Sequence, residues 1–375
     1  MNRFPDALDV LVIGGGPAGL ATAVAVRRLG LRVAVLDGAA PPIDKPCGEG
    51  LMPDGVDALR RLGIAIPQDA CPFRGIRFVN DGAKAEAAFP HGVAYGIRRT
   101  RLHSLLLDHA EACGVLLFWK TPVTGLHAEG ALIAGKPVGA RWVVGADGIA
   151  SRVRTWAKLD SSESESSRRK GMRFAFRRHY RIAPWTDFME LHWAPHSQAY
   201  VTPVGRDEVC LALVSSSSKL RIEDGLAEFP ELRARLEDSP YASTERGAIT
   251  TTRQLPRVYR GRVALVGDAS GGVDAVTGEG LCLAFRQAAL LADCLASRDL
   301  ARYQRSHAAL LRRPAQMARL MLFMARHNRL GRRAIKAFQS RPRLFAGMLA
   351  MHVGEGSARE HISNGLAFGW ELLKV

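Results

Sequence analysis

The sequence predicts an α/β fold, in which a parallel sheet flanked by helices is joined to a β-rich part and to a helical C-terminal region. Three observations support this prediction. A glycine-rich turn joins a buried strand to a helix near the start of the chain. Two later buried runs also end in a glycine and an aspartate, and β-branched or alternating runs lie between them. From Leu300 to Gly354, twelve Lys or Arg residues occur without one Asp or Glu.

The first strand and turn predict a nucleotide-binding unit. Val10 to Ile13 is apolar and mostly β-branched, as in a strand that is buried on both faces of a parallel sheet. Gly14, Gly16 and Gly19 follow with the G-x-G-x-x-G spacing, which allows a tight turn, close approach to a pyrophosphate and close packing of the next helix. The N-terminus of that helix can then bind the phosphates.

A second strand leads to a carboxylate. The run Arg32 to Leu36 ends at Asp37, about 20 residues beyond the turn, where an acid can accept both ribose hydroxyls of an adenosine. Strand, turn, helix, strand and acid together form a Rossmann-type fingerprint. A βαβ unit that binds no nucleotide would not need all of these features.

Composition limits the class of protein. The 375 residues are 47% hydrophobic and 23% charged, as in globular proteins, but they carry a net charge of +16. That charge suits nucleic acid, an anionic membrane or an anionic cofactor, and nucleic acid is disfavoured because no recognition motif accompanies it. The six cysteines show no C-x-x-C spacing, which disfavours metal sites and disulfides and is typical of reduced thiols in the cytoplasm. We expect no transmembrane helix and no targeting segment.

The chain then leaves the nucleotide-binding unit and returns to it. Pro41 to Gly55 is too rich in Pro and Gly for regular structure, and a short helix is expected at Val56 to Leu62. Phe73 to Phe89 predicts a hairpin with its tip at residues 80–82, the first part of the β-rich region. Arg101 to Cys113 has the apolar spacing of a helix, which predicts a return to the first unit.

Two more strand-to-turn segments follow. In Trp142 to Arg154 a buried strand precedes a Gly-Ala-Asp-Gly turn and a helix that begins near Ser151, a plausible N-cap. In Gly261 to Gly280 a buried strand runs into an aspartate and a second glycine-rich turn, before a helix from Leu281 to Leu295. The later pattern is equally typical of an ordinary loop and of a polar ligand site at the carboxyl edge of the sheet.

The stretch between these two segments predicts most of the β-rich part. Ser161 to Lys170 is polar and of low complexity, and we expect an exposed loop. The strands predicted after it are Met172 to Ile182, Met189 to Trp193, Gln198 to Pro203 and Glu208 to Ser215. The chain is expected to return to the nucleotide-binding unit near Thr250.

These motifs together resemble the flavoprotein monooxygenase superfamily of the p-hydroxybenzoate hydroxylase type, which also contains geranylgeranyl reductases and flavin-dependent halogenases. The resemblance rests on Gly14-Gly15-Gly16-Pro17-Ala18-Gly19, on Gly145-Ala146-Asp147-Gly148 with Ser151 and Arg154, and on Gly267-Asp268. These motifs span most of the chain from Val10 to Leu295. The resemblance implies a Rossmann-type FAD-binding domain, an inserted β-sheet substrate domain and a helical C-terminal region.

The resemblance also implies how FAD is bound. The first glycines, with Pro17 and Ala18, would hold the pyrophosphate, Asp37 the adenosine ribose, and Gly267-Asp268 the ribityl chain and phosphates. Arg99, or Arg98 one position earlier, would lie near the diphosphate. Asp147 and Gly148 would serve FAD and, in hydroxylases, NAD(P)H. The chain contains no second G-x-G-x-x-G, so NAD(P)H would bind transiently as the reductant.

Two loops are more similar to the geranylgeranyl reductase branch than to the aromatic hydroxylases. They are Lys45 to Gly50, which contains Cys47 and Gly48, and Thr277 to Gly280. Similar loops also occur in natural-product monooxygenases, so they leave the reaction open. A proline that is common in the family is replaced by Ala275, and the tryptophan-rich signature of the halogenases is absent, which disfavours halogenation.

The resemblance implies an FAD-dependent enzyme that uses NAD(P)H. The predicted reaction is hydroxylation of a hydrophobic aromatic or polyketide-like small molecule of secondary metabolism, through a flavin C4a-hydroperoxide. The alternative enzyme is a flavin-dependent reductase that saturates isoprenoid double bonds. A flavin-binding protein without catalysis is an alternative of a different class.

No catalytic side chain follows from the motifs, because flavin chemistry belongs largely to the cofactor. Cys47 and Glu49 are candidates, since their loop is expected to lie over the flavin ring, but the backbones of Gly48 and Gly50 explain the loop equally well. His192 and Tyr200 could line the substrate face or have structural roles. No residue set predicts a metal site.

The C-terminal region leaves two interpretations open. Met317, Leu320, Met321 and Met324 form an apolar stripe at helical spacing among arginines. The stripe could pack on the FAD-binding domain and leave a solvated basic face. It could instead rest on an anionic membrane and admit a lipid-like substrate, which would make the protein cytoplasmic with peripheral membrane contact.

The predicted domains follow from these assignments. The FAD-binding domain is discontinuous and comprises residues 1–70, 96–165 and 250–300. The β-rich substrate domain comprises 71–95 and 170–249, and the basic helical C-terminal region comprises 301–375.

Overall fold

The computed structural model describes residues 7–160, 171–355 and 357–374, and the predicted loop Ser161 to Lys170 lies outside these described residues. In this part of the chain the helices are α1 (Pro17–Arg28), α2 (Pro53–Arg61), α3 (Arg99–Ala112), α4 (Arg152–Trp156), α5 (Ile222–Gly225), α6 (Pro230–Leu236), α7 (Gly280–Ala296), α8 (Leu300–Arg326), α9 (Asn328–Ser340), α10 (Pro342–His352) and α11 (Ala358–Lys374).

The strands in the same described ranges are β1 (Val10–Ile13), β2 (Val33–Leu36), β3 (Gly50–Leu51), β4 (Cys71–Phe73), β5 (Gly75–Asn80), β6 (Ala83–Ala88), β7 (Ala94–Gly96), β8 (Leu116–Phe118), β9 (Val123–His127), β10 (Gly130–Ile133), β11 (Lys136–Gly139), β12 (Trp142–Gly145), β13 (Arg173–Tyr180), β14 (Phe188–Trp193), β15 (Ser197–Gly205), β16 (Glu208–Ser215), β17 (Arg246–Thr250), β18 (Arg253–Gln254), β19 (Tyr259–Arg260), β20 (Val263–Leu265) and β21 (Gly271–Gly272).

The first sheet has the strand order β19-β20-β12-β1-β2-β8, and all pairs except β19–β20 are parallel. In this register Val10 lies between Val33 and Trp142. The strands β1, β2 and β12 are almost wholly buried because helices cover the sheet, which explains their continuous apolar runs. Their carboxyl ends meet at one edge, and the three predicted motifs all follow strands that end there.

The second sheet has seven strands in the order β17-β13-β16-β15-β14-β5-β6, mostly antiparallel. The predicted hairpin of β5 and β6 turns at Asp81 and Gly82, both with positive φ, and β5 joins this sheet by pairing in parallel with β14. The α/β fold class is confirmed. The exact domain limits stay a prediction.

Two local predictions were incomplete. Helix α2 begins at Pro53, inside the stretch predicted as a loop, because proline suits the first turn of a helix, where its missing N–H has no partner to bind. The antiparallel sheet of β9, β10 and β11 was not predicted, because its strands are only four or five residues long and lack strong β-branched runs.

The methionine stripe of α8 belongs to the core. Met321 and Met324 are buried, and Met317 and Leu320 pack against the same hydrophobic cluster as α1 and α7. The packing interpretation of the stripe is therefore correct, and its use as a membrane-binding surface is wrong. Sequence spacing alone does not show whether an apolar helix face meets protein or lipid.

A column of stacked aromatic rings fixes the C-terminal helices to the second sheet. Phe78 of β5 stacks on Phe345 of α10 at 4.9 Å, Phe345 stacks on Phe338 of α9 at 4.7 Å, and Phe338 stacks on Phe368 of α11 at 5.0 Å. All four rings are buried. Among the described residues, no helix has the length and apolar character needed to cross a bilayer.

Candidate active site

The first glycine turn consists of backbone packed against backbone. Gly14 has a φ of +114°, and a Cβ atom there would lie 2.4 Å from the carbonyl oxygen of Ala146. A Cβ atom on Gly19 would lie 1.9 Å from the carbonyl oxygen of Gly14. Neither position has room for a side chain, so the N-terminus of α1 lies directly against the ends of β1 and β12.

Two side chains hold this turn from behind. Asp37 accepts hydrogen bonds from the N–H groups of Gly15 at 2.7 Å and Ala39 at 2.8 Å. His103 of α3 is buried, its Nε2–H donates to the carbonyl oxygen of Gly15 at 2.8 Å, and burial lowers its pKa, which keeps the ring neutral. Each oxygen of Asp37 retains a lone pair, so its contact with a ribose stays a prediction. His103 belongs to no motif and was missed.

The second turn gives Asp147 a role that the sequence did not predict. Its carboxylate accepts hydrogen bonds from the Ser151 hydroxyl and from the N–H groups of Arg152 at 2.7 Å and Val153 at 3.1 Å, at the N-terminus of α4. The side chain of Asp147 therefore caps α4. The residues of this motif that line the central cavity are Ala146 and Gly148.

Arg154 connects the second turn to the third. Its guanidinium is buried, pairs with Asp160 at 2.7 Å and donates to the carbonyl oxygens of Ile149 at 2.8 Å and Ala269 at 3.0 Å. One arginine thus fixes the spacing of the two turns.

A buried polar network holds the third turn, a 3₁₀ turn over Gly267–Ser270. Gln287 of α7 accepts the N–H of Gly267 at 2.8 Å, and His307 Nε2 lies 2.8 Å from the Ser270 hydroxyl and 3.2 Å from the Gln287 amide nitrogen. Burial lowers the pKa of His307 to about 4. His307 lies on α8, so the C-terminal region helps to build the third turn, which the sequence did not predict.

The three turns meet at a cavity of about 300 Å³ between the two sheets. Most of the residues predicted to bind the cofactor line it: Gly16, Pro17, Ala18, Cys47, Gly48, Arg99, Gly148, Gly267, Asp268 and Gly280. Four predicted residues do not line it. Gly14 and Gly19 pack against neighbouring backbone, Asp37 accepts a hydrogen bond from the N–H of Gly15, and Asp147 caps α4.

Charged groups face this cavity at the N-terminus of α1. Arg99 lines the cavity, and its buried Nε has no hydrogen-bond partner in the described structure. Arg98 instead pairs with Glu208 at 3.1 Å and lies against His179, so Arg99 is the one of the two that lines the cavity, and its contact with the diphosphate stays a prediction. Solvent reaches Asp268 through the cavity, yet the protein around it raises the pKa of its carboxyl, an effect opposed by the charges of Lys45 and Arg99.

The loop over the cavity shows why Cys47 and Glu49 are poor catalysts. Burial raises the pKa of the Cys47 thiol, so little thiolate forms, and its sulfur accepts the N–H of Glu49 at 3.3 Å. Glu49 is buried at a φ of +59°. Its carboxylate accepts the N–H of Arg99 at 2.9 Å and a hydrogen bond from His179 at 2.6 Å. Glu49 is a positioning residue that holds the loop and the start of α3.

Beneath this loop lies a buried cluster of Glu49, His179 and Cys210, whose ligand atoms all lie within 4.8 Å of one another. Its surroundings disfavour a metal ion. Arg98 and Arg177 lie 3.0 and 3.1 Å from His179 Nδ1, and because arginine only donates, Nδ1 accepts and Nε2–H points at Glu49. Burial also raises the pKa of the Cys210 thiol. The cluster is a hydrogen-bonded support for the loop.

The second sheet supplies the other wall of the cavity. Its lining is mainly apolar: Ala175, Met189, Ala212, Val214, Ala248 and Ile249. Among them lies Tyr200, which is 5% exposed and whose hydroxyl has no hydrogen-bond partner in the described residues. His192 is on the opposite face, 3.1 Å from Glu190 and against Phe229, so of the two roles left open for it these contacts favour the structural one.

The residues present fit FAD. The cavity joins an unpaired guanidinium and a helix N-terminus, which suit a pyrophosphate, to a glycine-lined floor and a carboxylate at Asp268, which suit a ribityl chain and a flat ring. The model of the FAD binding domain family matches residues 7–302. The chain belongs to this family. The predicted membership of the FAD-dependent monooxygenase superfamily is thereby confirmed, and the enzyme is an FAD-dependent oxidoreductase.

Curated relatives carry different activities. The menaquinone reductase of Mycobacterium tuberculosis is 29% identical over 327 residues, which cover 79% of this chain and 78% of the relative. The kynurenine 3-monooxygenase of Salinispora arenicola is 26% identical over 349 residues, which cover 79% of this chain and 73% of the relative. The family therefore includes both reductases and monooxygenases.

Solved structures support the fold. A flavoprotein/dehydrogenase from Cytophaga hutchinsonii superposes with a TM-score of 0.81 at 17% identity, covering 93% of both chains. A geranylgeranyl bacteriochlorophyll reductase-like protein from Thermoplasma acidophilum superposes with a TM-score of 0.71 at 20% identity, covering 98% of both chains. The superpositions extend over the C-terminal helices as well as the FAD-binding part.

Proposed function

We propose that this oxidoreductase is an NAD(P)H-dependent monooxygenase that hydroxylates a hydrophobic aromatic or polyketide-like molecule. The observation that carries the proposal is the Tyr200 hydroxyl, which has no hydrogen-bond partner in the described residues, in a wall that is mainly apolar apart from Arg177 and Thr250. A buried hydroxyl without a partner costs about 1–3 kcal/mol, which a substrate oxygen would recover. A phenol or quinone attached to an apolar chain has both the oxygen and the apolar surface that this wall complements.

The chain's own residues have three tasks in this proposal. Arg99 and the N-terminus of α1 bind the pyrophosphate of FAD and so fix the cofactor against the sheet. Met189, Ala212 and Val214 contact the apolar part of the substrate and exclude water from it. Tyr200 hydrogen-bonds the substrate oxygen and sets which ring carbon faces the cofactor.

The proposed reaction balances with oxygen and one reductant. Bound FAD supplies the redox chemistry, and NAD(P)H supplies two electrons. One atom of molecular oxygen converts a ring C–H to C–OH, and the other leaves as water with two protons. NAD(P)H binds without a fold of its own, consistent with the single G-x-G-x-x-G in the sequence.

Labelled oxygen tests the proposal directly. The FAD-loaded protein is incubated with NAD(P)H, a panel of alkylated phenols and ¹⁸O₂, and the products are weighed by mass spectrometry. We expect one labelled oxygen in the product and faster flavin reduction in the presence of substrate. An unlabelled product, or turnover without oxygen, would overturn the monooxygenase assignment.

A reductase is the second candidate, because a menaquinone reductase is among the relatives and because the loops at Cys47 and Gly278 are similar to the reductase branch. This enzyme would add a hydride equivalent from NAD(P)H and one proton from solvent to an isoprenoid C=C bond. The same experiment without oxygen distinguishes the two reactions. A product heavier by two hydrogens, formed from a prenylated quinone, would establish the reductase.

We also propose that the protein acts in the cytoplasm and contacts anionic membrane through α11. Ile362, Leu366 and Trp370 lie on one side of this helix and are 64%, 72% and 60% exposed. The neighbouring helix α9 presents exposed cations, among them Arg333 and Lys336. Apolar and cationic groups together suit an interfacial helix, with about 1 kcal/mol from each nearby cation.

Vesicle co-sedimentation tests this contact. Wild-type protein should sediment with anionic vesicles at low salt and be released by high salt. The Ile362→Ser, Leu366→Ser variant should stay in the supernatant, while Leu29→Ser, which changes an exposed leucine just after the end of α1, should behave as wild type. Equal sedimentation of both variants would remove α11 from the proposal.

A further inference from the structure

A second cavity of about 960 Å³ lies between α2, α7 and α8, next to the end of α10. No described residue lines both this cleft and the flavin cavity. The Thr277–Gly280 loop separates them: Gly278 and Gly280 face the flavin cavity, and Glu279 faces the cleft. A nicotinamide bound in the cleft would therefore be cut off from the flavin, which excludes the cleft as a hydride-donor site.

One part of the cleft wall is apolar and contains three alanines, each on a different helix. Ala58 of α2, Ala289 and Leu290 of α7, and Ala309 and Leu310 of α8 line it. Alanines at facing positions leave a channel between helices that would otherwise be filled by larger side chains. A linear hydrocarbon chain complements such a channel, because burial of each CH₂ group contributes about 0.8 kcal/mol.

The rim of the cleft is cationic. Arg61, Arg286 and Arg312 are exposed at its edge, and Arg313 is half-buried. Asp54 pairs with Arg286 at 3.6 Å, and the other three arginines form no ion pair with another described residue. The rim therefore presents an excess of guanidinium groups, which bind phosphate or carboxylate in a bidentate manner.

The floor carries a polar atom without a partner. Glu279 is 5% exposed, and its Oε2 has no hydrogen-bond partner in the described structure. His352 Nδ1 lies 3.8 Å from that oxygen, while His352 Nε2–H donates to the carbonyl oxygen of Thr277 at 2.9 Å. Burial raises the pKa of the Glu279 carboxyl, which favours its protonated form, a hydrogen-bond donor.

A proline in α8 leaves one carbonyl oxygen of the helix without its usual N–H donor. Pro314 lies inside α8 and has no N–H to donate to the carbonyl oxygen of Leu310, one turn earlier. Both residues line the cleft. Floor and wall thus contain polar groups that a bound molecule or ordered water can satisfy, beside an apolar channel.

We propose that this cleft binds a single-chain anionic amphiphile, such as an alkyl phosphate or a fatty acid. The hydrocarbon chain lies along the alanine-lined wall, and the anionic head lies among Arg61, Arg312 and Arg313. The molecule can arrive free in solution or from a lipid layer. This site is separate from the proposed substrate cavity and does not depend on which reaction the enzyme catalyses.

Binding is measured by isothermal titration calorimetry on the FAD-loaded protein with dodecyl phosphate below its micelle concentration. Inorganic phosphate and dodecanol are titrated in parallel, because the proposal requires both head and chain. Dodecyl phosphate should bind at one site, and each partial ligand should bind at least about tenfold more weakly, or ~1.4 kcal/mol. Equal binding of inorganic phosphate, or no binding of dodecyl phosphate, would overturn the proposal.

Two variants and one control assign the site. Arg312→Glu, Arg313→Glu should weaken binding by at least about tenfold, and Ala289→Phe should abolish it by filling the channel without a change of charge. The control is Arg302→Glu, Arg305→Glu, which makes the same charge change on α8 outside the cleft. If the control loses as much affinity as the cleft variant, binding reflects overall charge and the proposal is wrong.

The source of the amphiphile is distinguished with the same variants. Protein is mixed with neutral vesicles that contain a few per cent of dodecyl phosphate, and with free dodecyl phosphate at the same total concentration. Loss of both signals in Ala289→Phe supports a cleft filled from either source. If Ala289→Phe loses binding of free dodecyl phosphate but still binds the vesicles, the cleft takes the free molecule. If the variant keeps both kinds of binding, the proposal is overturned.

Discussion

The two walls of the central cavity are built in different ways. The cofactor wall consists largely of backbone at turns, where Gly16, Gly148, Gly267 and Gly280 bring peptide groups to the surface of the cavity beside the side chains of Arg99 and Asp268. The substrate wall consists largely of side chains from adjacent antiparallel strands, such as Met189, Tyr200 and Val214. Few amino-acid substitutions can be accommodated where backbone packs against backbone. Substitutions of side chains on the strands can instead alter which ligand binds without altering the fold.

Among the substitutions that test this difference between the two walls, Gly19→Ala should have the largest effect on flavin binding and stability. A Cβ atom in Gly19→Ala would lie 1.9 Å from the carbonyl oxygen of Gly14, and neither backbone group can move without opening the turn. We expect the variant to purify without flavin and to unfold at a lower temperature. Gly369→Ala, where a Cβ atom meets nothing within 4 Å, is the matched control. Retained flavin in Gly19→Ala would mean that the backbone wall is more adaptable than its packing indicates.

Arg99→Met should weaken FAD binding by about 30-fold, or ~2 kcal/mol, because a charged hydrogen-bond donor to the pyrophosphate is lost while the apolar part of the side chain is kept. Equilibrium dialysis of FAD against the apoprotein measures the change. Arg101→Met removes an exposed charge two residues along α3 that pairs with Asp69, and should leave FAD affinity unchanged. Equal losses in both variants would assign the effect to net charge.

His307, which supports the third turn, should make the stability of the protein depend on pH. Burial lowers the pKa of His307 from 6.5 to about 4. The unfolded chain thus binds this proton at a higher pH than the native protein does, and stability falls as the pH decreases through that interval. From about pH 7 to about pH 5 the expected loss is about 2 kcal/mol.

Denaturant unfolding of wild type and His307→Gln at both pH values isolates this contribution, because all other groups titrate in both proteins. The variant should lose about 2 kcal/mol less than wild type over the interval. Parallel pH profiles would show that His307 is protonated in the native state as readily as in the unfolded chain.

Tyr200→Phe should have the smallest effect on the fold and distinguishes the substrate wall from the cofactor wall. Because the hydroxyl has no partner, its removal should raise the free energy of unfolding by up to about 1 kcal/mol. FAD binding should not change, while kcat/KM for the substrate found in the oxygen-labelling experiment should fall about tenfold.

The matched control is Tyr303→Phe, which removes a buried hydroxyl that donates to the carbonyl oxygen of Leu265 at 2.7 Å. That variant should lose about 1–2 kcal/mol of stability. If Tyr200→Phe is destabilised as much as Tyr303→Phe, the Tyr200 hydroxyl has a structural partner and the substrate role fails.

Sequence reasoning located the backbone wall well because its requirements are local. Gly14, Gly16 and Gly19 stand at a spacing that few other structures need, and the residue after each parallel strand must lie at the same edge of the sheet. The choice of Arg99 over Arg98 needed the structure, since adjacent residues at the start of a helix point in different directions. The capping contacts of Asp147 were missed because a helix cap and a ligand site share the same residue types, and its role toward FAD stays a prediction.

The substrate wall could not be predicted to the same degree. His192 and Tyr200 lie on neighbouring strands, and a strand turns alternate residues to opposite faces, so a shift of one residue exchanges a lining residue for one on the far side. Three residues that support the turns were missed, His103, Gln287 and His307, because they act only through hydrogen bonds to a turn and belong to no sequence pattern. The methionine stripe was correctly predicted to lie on one face of a helix, but periodicity does not show whether that face packs against protein or lipid.

The contact of His307 with the third turn also links the C-terminal helices to the FAD-binding part of the protein. The family match ends at residue 302, five positions before this histidine, and the aromatic column continues the same attachment through Phe338 to Phe368. The segment that sequence comparison recognises is therefore smaller than the unit that folds. Chimaeras between relatives that exchange their C-terminal ends at this boundary would separate a cofactor turn from the helix that supports it.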